Sequence, residues 1–344
     1  MDDVRTIDEA ALAAYLSRHL DGFTGPLNTE KFAGGQSNPT YLVRTPAANY
    51  VLRRKPPGHL LKSAHAIERE YRVMKALADT PVPVPRMLLI CEDDHVLGTS
   101  FFLMEHVTGR VLWDPALPDE TVSGRAAIYD AMNAALASLH SVDIAAAGLS
   151  DFGRPGNYFA RQLARWSDQY RASETAPVPA MDRLIAWLGE ALPEDDGRVA
   201  LVHGDYRIDN MIFAADEPRL LALLDWELST LGHPFADLAY QCMQWRLPNE
   251  GTFRGLGDLD RAAAGIPTEE QYVARYCARM GLAGIPDWTF CLAFSFFRLA
   301  AILQGVMKRA LDGNSSNPER GLKMGEAVPV LAGMAMELVE GRAR

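Results

Sequence analysis

The stretch that decides how this chain reads is residues 198–227, RVALVHGDYRIDNMIFAADEPRLLALLDWE. Val199 to Val202 is a short apolar strand running into His203-Gly204-Asp205. Met211–Phe213 and Leu220–Leu224 are apolar runs on either side of Asp216-Glu217-Pro218-Arg219, a turn by composition. A hairpin centred between Glu217 and Pro218 sets Asn210 opposite Asp225 at its open end, with Asp205 delivered nearby by the preceding loop. Oxygen ligands gathered in this way suit Mg²⁺, which takes one or two protein oxygens and completes its shell with water and phosphate. Taken singly, Asp205, Asp209, Asp225 and Glu227 read as ordinary turn residues. Jointly that reading weakens, because His203, Asp205, Asn210 and Asp225 converge at one end of buried strands, and a carboxylate ending a strand as apolar as LLALLD needs a partner or a metal.

Upstream of this island, residues 7–20 carry Ala11, Leu12, Tyr15, Leu16 and His19 at helical spacing. FAGGQSNPTYLVRT and NYVLRRK follow as apolar, β-prone runs around a Gly-Gly turn, a short antiparallel meander. Residues 63–78 predict a helix with Ser63 as its N-cap, ending before Thr80-Pro81. PVPVPRMLLI is extended by its prolines and leads into a strand, and TSFFLMEHV is a further strand. Beyond Gly109 the pattern turns helical, over 124–140, 157–171, 180–192, 268–281 and 287–311, broken only by the island. The fold class is therefore α+β and bilobal. A small N-terminal antiparallel-sheet lobe, residues 1–107, precedes a larger, mostly helical C-terminal lobe, residues 108–344.

Composition narrows the function. The chain has 344 residues, is 48% hydrophobic, and carries 34 basic against 44 acidic groups, a net charge of −10. Collagen, coiled coil and wholesale disorder are excluded. A global field of this sign favours neither nucleic acid nor anionic membrane as partner. Cys91, Cys242, Cys277 and Cys291 form no CxxC pair, so they read as reduced core thiols. Met1-Asp2-Asp3-Val4-Arg5 lacks the features of a secretory signal, and apolar stretches such as Trp288–Phe297 read as too short and polar to span a bilayer. The expectation is a cytoplasmic protein.

His203-Gly204-Asp205-Tyr206-Arg207-Ile208-Asp209-Asn210 followed by Leu224-Asp225-Trp226-Glu227 resembles the HGDxxxxN and (I/L)DxE motifs of the aminoglycoside phosphotransferase-like kinases. The resemblance extends over nearly the whole chain, through Gly34-Gly35-Gln36-Ser37-Asn38, the Glu70 helix, Met104-Glu105, Gly232-His233-Pro234 and Asp237-Leu238-Ala239. More narrowly, AHAIEREYRVMKAL, HGDYRIDNMIF and DWELSTLGHP resemble the kinase-like domain joined to acyl-CoA dehydrogenase family members 10 and 11, and its free-standing bacterial relatives. The resemblance implies a protein-kinase-like fold, with ATP and Mg²⁺ as cofactors. It implies Asp205 as the catalytic base, Asn210 and Asp225 as Mg²⁺ ligands, and Asp237 as a brace for the catalytic loop. Gly34, Gly35, Ser37 and Asn38 are implied as the phosphate cover, and Glu105 with Val107 as the segment beside the nucleotide. Phosphoryl transfer asks for this kind of site, with a positioned nucleophile and neutralised phosphate charge.

Arg53 stands where such kinases place a lysine, with Lys55 two residues on and on the same strand face. The apolar stripe Ile67, Tyr71, Met74, Leu77 takes in Glu70 and leaves out Glu68. An inward carboxylate calls for a cation, and Arg53 is the candidate. AGGQSNPT is neither GxGxxG nor a Walker motif. His140 reads as a helix cap. Arg161, Arg165, Trp166, Arg298 and Gln304 lie in segments resembling the substrate lobe of the narrower relatives and stay outside the catalytic set. The leading reading is a kinase that phosphorylates a small-molecule hydroxyl, with a hydroxyacyl-CoA in fatty-acid catabolism as the candidate acceptor. An aminoglycoside or sugar acceptor, a non-catalytic nucleotide- or acyl-CoA-binding module, and a metal hydrolase using His203, Asp205 and Asp225 are the rivals. No HExxH or second histidine ligand supports the last.

Overall fold

The computed structural model describes residues 7–32, 38–56, 67–250, 253–314 and 317–342. In chain order its elements are α1 (Glu9–His19), β1 (Asn28–Lys31), β2 (Thr40–Arg44), β3 (Asn49–Arg54), α2 (Ile67–Leu77), β4 (Met87–Cys91), α3 (Asp94–Leu97), β5 (Phe101–Glu105) and β6 (Arg110–Val111). There follow α4 (Val122–His140), α5 (Tyr158–Ser173), α6 (Pro179–Glu190), β7 (Ala200–Val202), β8 (Met211–Phe213), β9 (Leu220–Leu223) and β10 (Thr230–Gly232). The chain closes with α7 (Pro234–Cys242), α8 (Arg261–Ala264), α9 (Glu269–Met280), α10 (Trp288–Leu311), α11 (Pro318–Gly325) and α12 (Ala327–Val339). Two compact units result. The first comprises Met1–Val111, Ala145–Leu149 and Asn210–Ser229, and the second Leu112–Ile144, Ser150–Asp209 and Thr230–Arg344.

The first unit is built on an antiparallel sheet in the order β1-β2-β3-β5-β4. Strand alternation divides its side chains between two faces. Tyr41, Val43, Leu52, Phe101 and Leu103 pack with Leu12 and Leu16 of α1 in one buried cluster. The opposite face carries Val51, Arg53, Phe102 and Met104, and there α2 buries Ile67, Glu70, Val73, Met74 and Leu77. The helix begins, among the described residues, at Ile67, so the Ser63 cap lies outside them.

β8 and β9 form the expected hairpin, with β6 on its outer edge. Its register differs by one from the symmetric expectation. Met211 pairs with Leu223 and Ile212 with Ala222, and a bulge beyond Ile212 sets Phe213 against Leu220. Asn210 accepts from the Leu224 N–H at 2.8 Å, so Leu224 and not Asp225 lies opposite it. Asp225 instead follows the strand with φ 65° and ψ 61°, left-handed values that a residue with a side chain adopts only where the surroundings hold it.

In the second unit α10 packs against α5, α7, α11 and α12. This 24-residue helix is long and apolar enough to cross a membrane, which corrects the reading of Trp288–Phe297 as too short and polar. Most of it is buried inside the unit, as a core helix is. The four cysteines are free and buried.

Candidate active site

Within the first unit the site is organised by Arg53. On β3 its neighbour Arg54 turns to the α1 face, with the guanidinium over the Tyr41 ring at 5.6 Å. Arg53 therefore points to the α2 face, where its Nε lies 3.1 Å from Glu70 Oε2. Its Nη2 reaches Asp225 Oδ1 at 2.8 Å and Glu227 Oε2 at 3.7 Å. Burial disfavours the Arg53 cation, yet Glu70, Asp225 and Glu227 outweigh it and raise the pKa. Glu70 is pushed up to about 7, chiefly by burial, while Arg53 and the Trp226 N–H pull it back. Lys55 takes a different partner, the half-buried Glu68 outside the apolar stripe. The two cations on this strand face, Arg53 and Lys55, thereby take different partners, and it is Arg53 that faces the Asp225 carboxylate.

Three carboxylates around one guanidinium leave excess negative charge, which a divalent cation would offset. Among the described residues no group of three or more His, Cys, Asp or Glu is arranged as a complete metal cage. Mg²⁺, which keeps waters and substrate oxygens, does not need one. The donor set Asn210 plus Asp225, with the Asp225 side chain 34% exposed, fits that ion.

The remaining nucleotide-side candidates sort as follows. Gly34, Gly35 and Ser37 lie outside the described residues. Asn38 is fully buried, and its carbonyl accepts from Thr40 Oγ1 at 3.1 Å. The Glu105 carboxylate accepts from the Arg86 N–H at 2.8 Å, and the Glu105 N–H donates to the Arg86 carbonyl. Val107 follows β5 in half-buried, irregular chain, and its backbone N–H meets no acceptor among the described residues.

The second unit carries the HGD loop between β7 and the following turn. Each of its peptide groups is held. Asp237, in the first turn of α7, accepts from the N–H of His203 at 2.5 Å and of Gly204 at 2.9 Å. Burial pushes the Asp237 pKa up, but the His140 contact, His203 and the Gly204 N–H more than reverse this and hold it low. His140 therefore does more than cap α4. Its Nε2 lies 3.4 Å from Asp237 Oδ2 and its Nδ1 2.7 Å from Tyr276 Oη. Gly204 has φ +85°, a conformation natural to glycine. The Asp205 N–H donates to His203 Nδ1 at 3.2 Å.

Asp205 itself is gripped at Oδ1, where Tyr240 Oη donates at 2.8 Å and Arg207 Nε lies at 3.1 Å. Neither Tyr240 nor Glu227 entered the candidate set read from sequence, and Arg298 was kept out of it. A tyrosine three residues after Asp237, on the helix that braces the loop, was the available signal for the first. For the last it was a single arginine inside the apolar run FSFFRLAA.

An antiparallel five-stranded sheet whose third strand pairs a cation with a helix glutamate, together with a helical unit bearing a braced HGD loop, defines a kinase-like phosphotransferase. A sequence profile of the phosphotransferase enzyme family matches residues 28–272, and the chain belongs to that family. It is a phosphotransferase acting on hydroxyl groups. A crystal structure from Ralstonia eutropha, provisionally assigned as an aminoglycoside phosphotransferase, is 50% identical with a TM-score of 0.89, covering 98% of this chain and 99% of that one. Aminoglycoside phosphotransferase APH(4)-Ia, solved with ADP and hygromycin B, shares the fold at 16% identity and TM-score 0.62, covering 96% of this chain and 98% of that one. Among curated relatives, acyl-CoA dehydrogenase family member 10 of Mus musculus is 52% identical over 313 residues, 90% of this chain and 29% of that protein. Acyl-CoA dehydrogenase family member 11 of Rattus norvegicus is 42% identical over 328 residues, 94% of this chain and 42% of that protein. The chain thus spans less than half the length of the curated relatives it matches.

Proposed function

We propose that this phosphotransferase moves the γ-phosphoryl group of ATP to the hydroxyl of a hydroxyacyl-CoA. The observation that carries the acceptor is the pattern of likeness. Identity is 52% and 42% to segments of acyl-CoA dehydrogenase family members 10 and 11, against 16% to the structure holding hygromycin B, and the aminoglycoside assignment of the 50%-identical Ralstonia eutropha structure is only provisional. Arg161 and Arg165 of α5 have no carboxylate partner among the described residues, which suits an acceptor carrying phosphates.

In this reading Asp205 takes the proton of the acceptor hydroxyl. The hydroxyl oxygen forms a bond to the γ-phosphorus as the bond from that phosphorus to the β–γ bridging oxygen breaks, and ADP leaves with the electron pair. Tyr240 and Arg207 hold Asp205 in the aspect from which it receives that proton. Arg53 lends positive charge to the phosphates while it steadies Asp225. Asn210 and Asp225 are the residues that would hold Mg²⁺, which supplies neutralisation of phosphate charge when bound. Gly34, Gly35, Ser37 and Asn38 cover the phosphates, and Glu105 and Val107 lie against the base through their backbone groups.

The test is ADP release from Mg·ATP across 4-hydroxyacyl-CoAs, 3-hydroxyacyl-CoAs, sugars and aminoglycosides, with Asp205→Ala as blank. Release with a hydroxyacyl-CoA alone is expected. Release with only a sugar or an aminoglycoside keeps the kinase and discards the acyl-CoA acceptor. ATP binding with no release anywhere favours a non-catalytic module.

A further inference from the structure

Arg298 sits in the middle of α10, inside the run Phe294-Ser295-Phe296-Phe297-Arg298-Leu299-Ala300-Ala301, and is 5% exposed. A guanidinium in such surroundings carries a large desolvation cost unless something compensates it. The usual compensation is a carboxylate, and among the described residues none lies within ion-pair distance of Arg298. Its partners are of another kind. Nη2 donates to the Gly204 carbonyl at 2.7 Å. The guanidinium carbon lies 5.7 Å from the centre of the Trp166 ring and 5.5 Å from that of Tyr240, within cation–π range of both.

These partners converge on Asp205. The carbonyl that Arg298 holds belongs to the peptide linking Gly204 to Asp205, and the N–H of that same peptide donates to His203 Nδ1. The peptide is therefore fixed at both ends, its carbonyl by Arg298 and its N–H by His203. The ring over which Arg298 lies is the one whose hydroxyl donates to Asp205 Oδ1. One buried cation thus sets the backbone that carries Asp205 and supports the phenol that orients its carboxylate.

We infer that Arg298 is a positioning residue for phosphoryl transfer, which fixes the Gly204–Asp205 peptide and the Tyr240 ring so that Asp205 meets the acceptor hydroxyl in one orientation. The inference rests on Asp205 being the base. Its function in turnover is indirect, through Gly204 and Tyr240.

The test uses the full chain with Arg298→Met, which keeps length and loses charge and donors. Arg298→Lys, which keeps the charge, and Tyr240→Phe, which keeps the ring and loses the hydroxyl, accompany it. Amide hydrogen exchange is expected to rise roughly tenfold or more at residues 203–205 in Arg298→Met, with α12 unchanged and Arg298→Lys intermediate. With the acceptor found active in wild type, kcat is expected to fall about 10²-fold with the KM for ATP unchanged, and Tyr240→Phe to lower kcat alone. Exchange at 203–205 equal to wild type, or raised no more than along α10 itself, overturns the inference, as does an unchanged kcat. If Arg298→Met does not fold, Arg298→Lys decides by the same exchange readout. That arm needs no acceptor, so absence of turnover in wild type would count against the kinase reading and leave the exchange result to judge Arg298.

Discussion

At the scale of single residues, the two units divide the labour in a way that mutation separates. Arg53, Asp225 and Glu227 belong to the unit with the antiparallel sheet, and Asp205 to the helical one. Asp205→Ala is expected to lower turnover by about 10²–10⁴-fold, the usual weight of a positioned base, and to leave Mg·ATP binding intact. Asp225→Ala is expected to lose binding and turnover together. Thermal unfolding with Mg·ATP at a hundred times its dissociation constant reads the difference, since a ligand at that level stabilises by about 2.7 kcal/mol. Asp205→Ala should keep that increment and Asp225→Ala should lose it. The reverse pattern would exchange the two assignments. Arg53→Met should weaken ATP binding more than Lys55→Met does, because Lys55 is paired with Glu68 while Arg53 faces Asp225. Equal losses in the two variants would remove Arg53 from the phosphate site.

At the scale of elements, α2 couples stability to pH. Glu70 is fully buried and its folded pKa, about 7, stands above the ordinary 4.5. A group raised in this way contributes stability that is complete below about 4.5 and is lost as pH rises through about 7. Glu70→Gln should therefore flatten the fall in unfolding free energy between those values, measured by urea titration at several pH values. A slope equal to wild type would mean that other groups cause the fall. Glu70 was also where the sequence was most legible, because a carboxylate inside an apolar stripe has few explanations. The long amphipathic helices α4, α5, α6 and α9 were legible for the same reason. Elsewhere the periodicity failed for physical reasons. All of α7 is buried and α12 is apolar nearly all round, so neither shows a polar face. Pro234 and Pro329 look like breakers but fall in first turns, where proline is tolerated. The register of β8 and β9 was misread by one because a bulge cannot be seen in the alternation of residues as short as these. Asp205, Asn210 and Asp225 stand out in the sequence as polar residues at the ends of apolar runs, whereas Tyr240 and Arg298 reach the HGD loop from helices whose packing the chain order does not reveal.

At the scale of the whole molecule, the first unit is not one continuous piece of chain. Asn210–Ser229 completes it, and the contacts are specific. The Leu223 N–H donates to the Pro83 carbonyl at 2.8 Å, and β8 supplies the partner strand of β6. Trp226, fully buried, donates through Nε1 to the Leu223 carbonyl, and its own N–H donates to Glu70. Two of the three carboxylates around Arg53 also come from this segment. A fragment ending at Val111 would keep Arg53 and Glu70 but lose Asp225, Glu227 and the cover over α2. Uncovering apolar surface and unbalancing a buried ionic group each cost several kcal/mol, against a typical total stability of about 5–15 kcal/mol. The expected outcome is that residues 1–111 alone show no cooperative thermal transition by circular dichroism, whereas the same fragment joined through a flexible linker to residues 210–229 regains one. A cooperative transition in the short fragment would show that the sheet and its three helices suffice, and that the island serves the chemistry without holding the unit together.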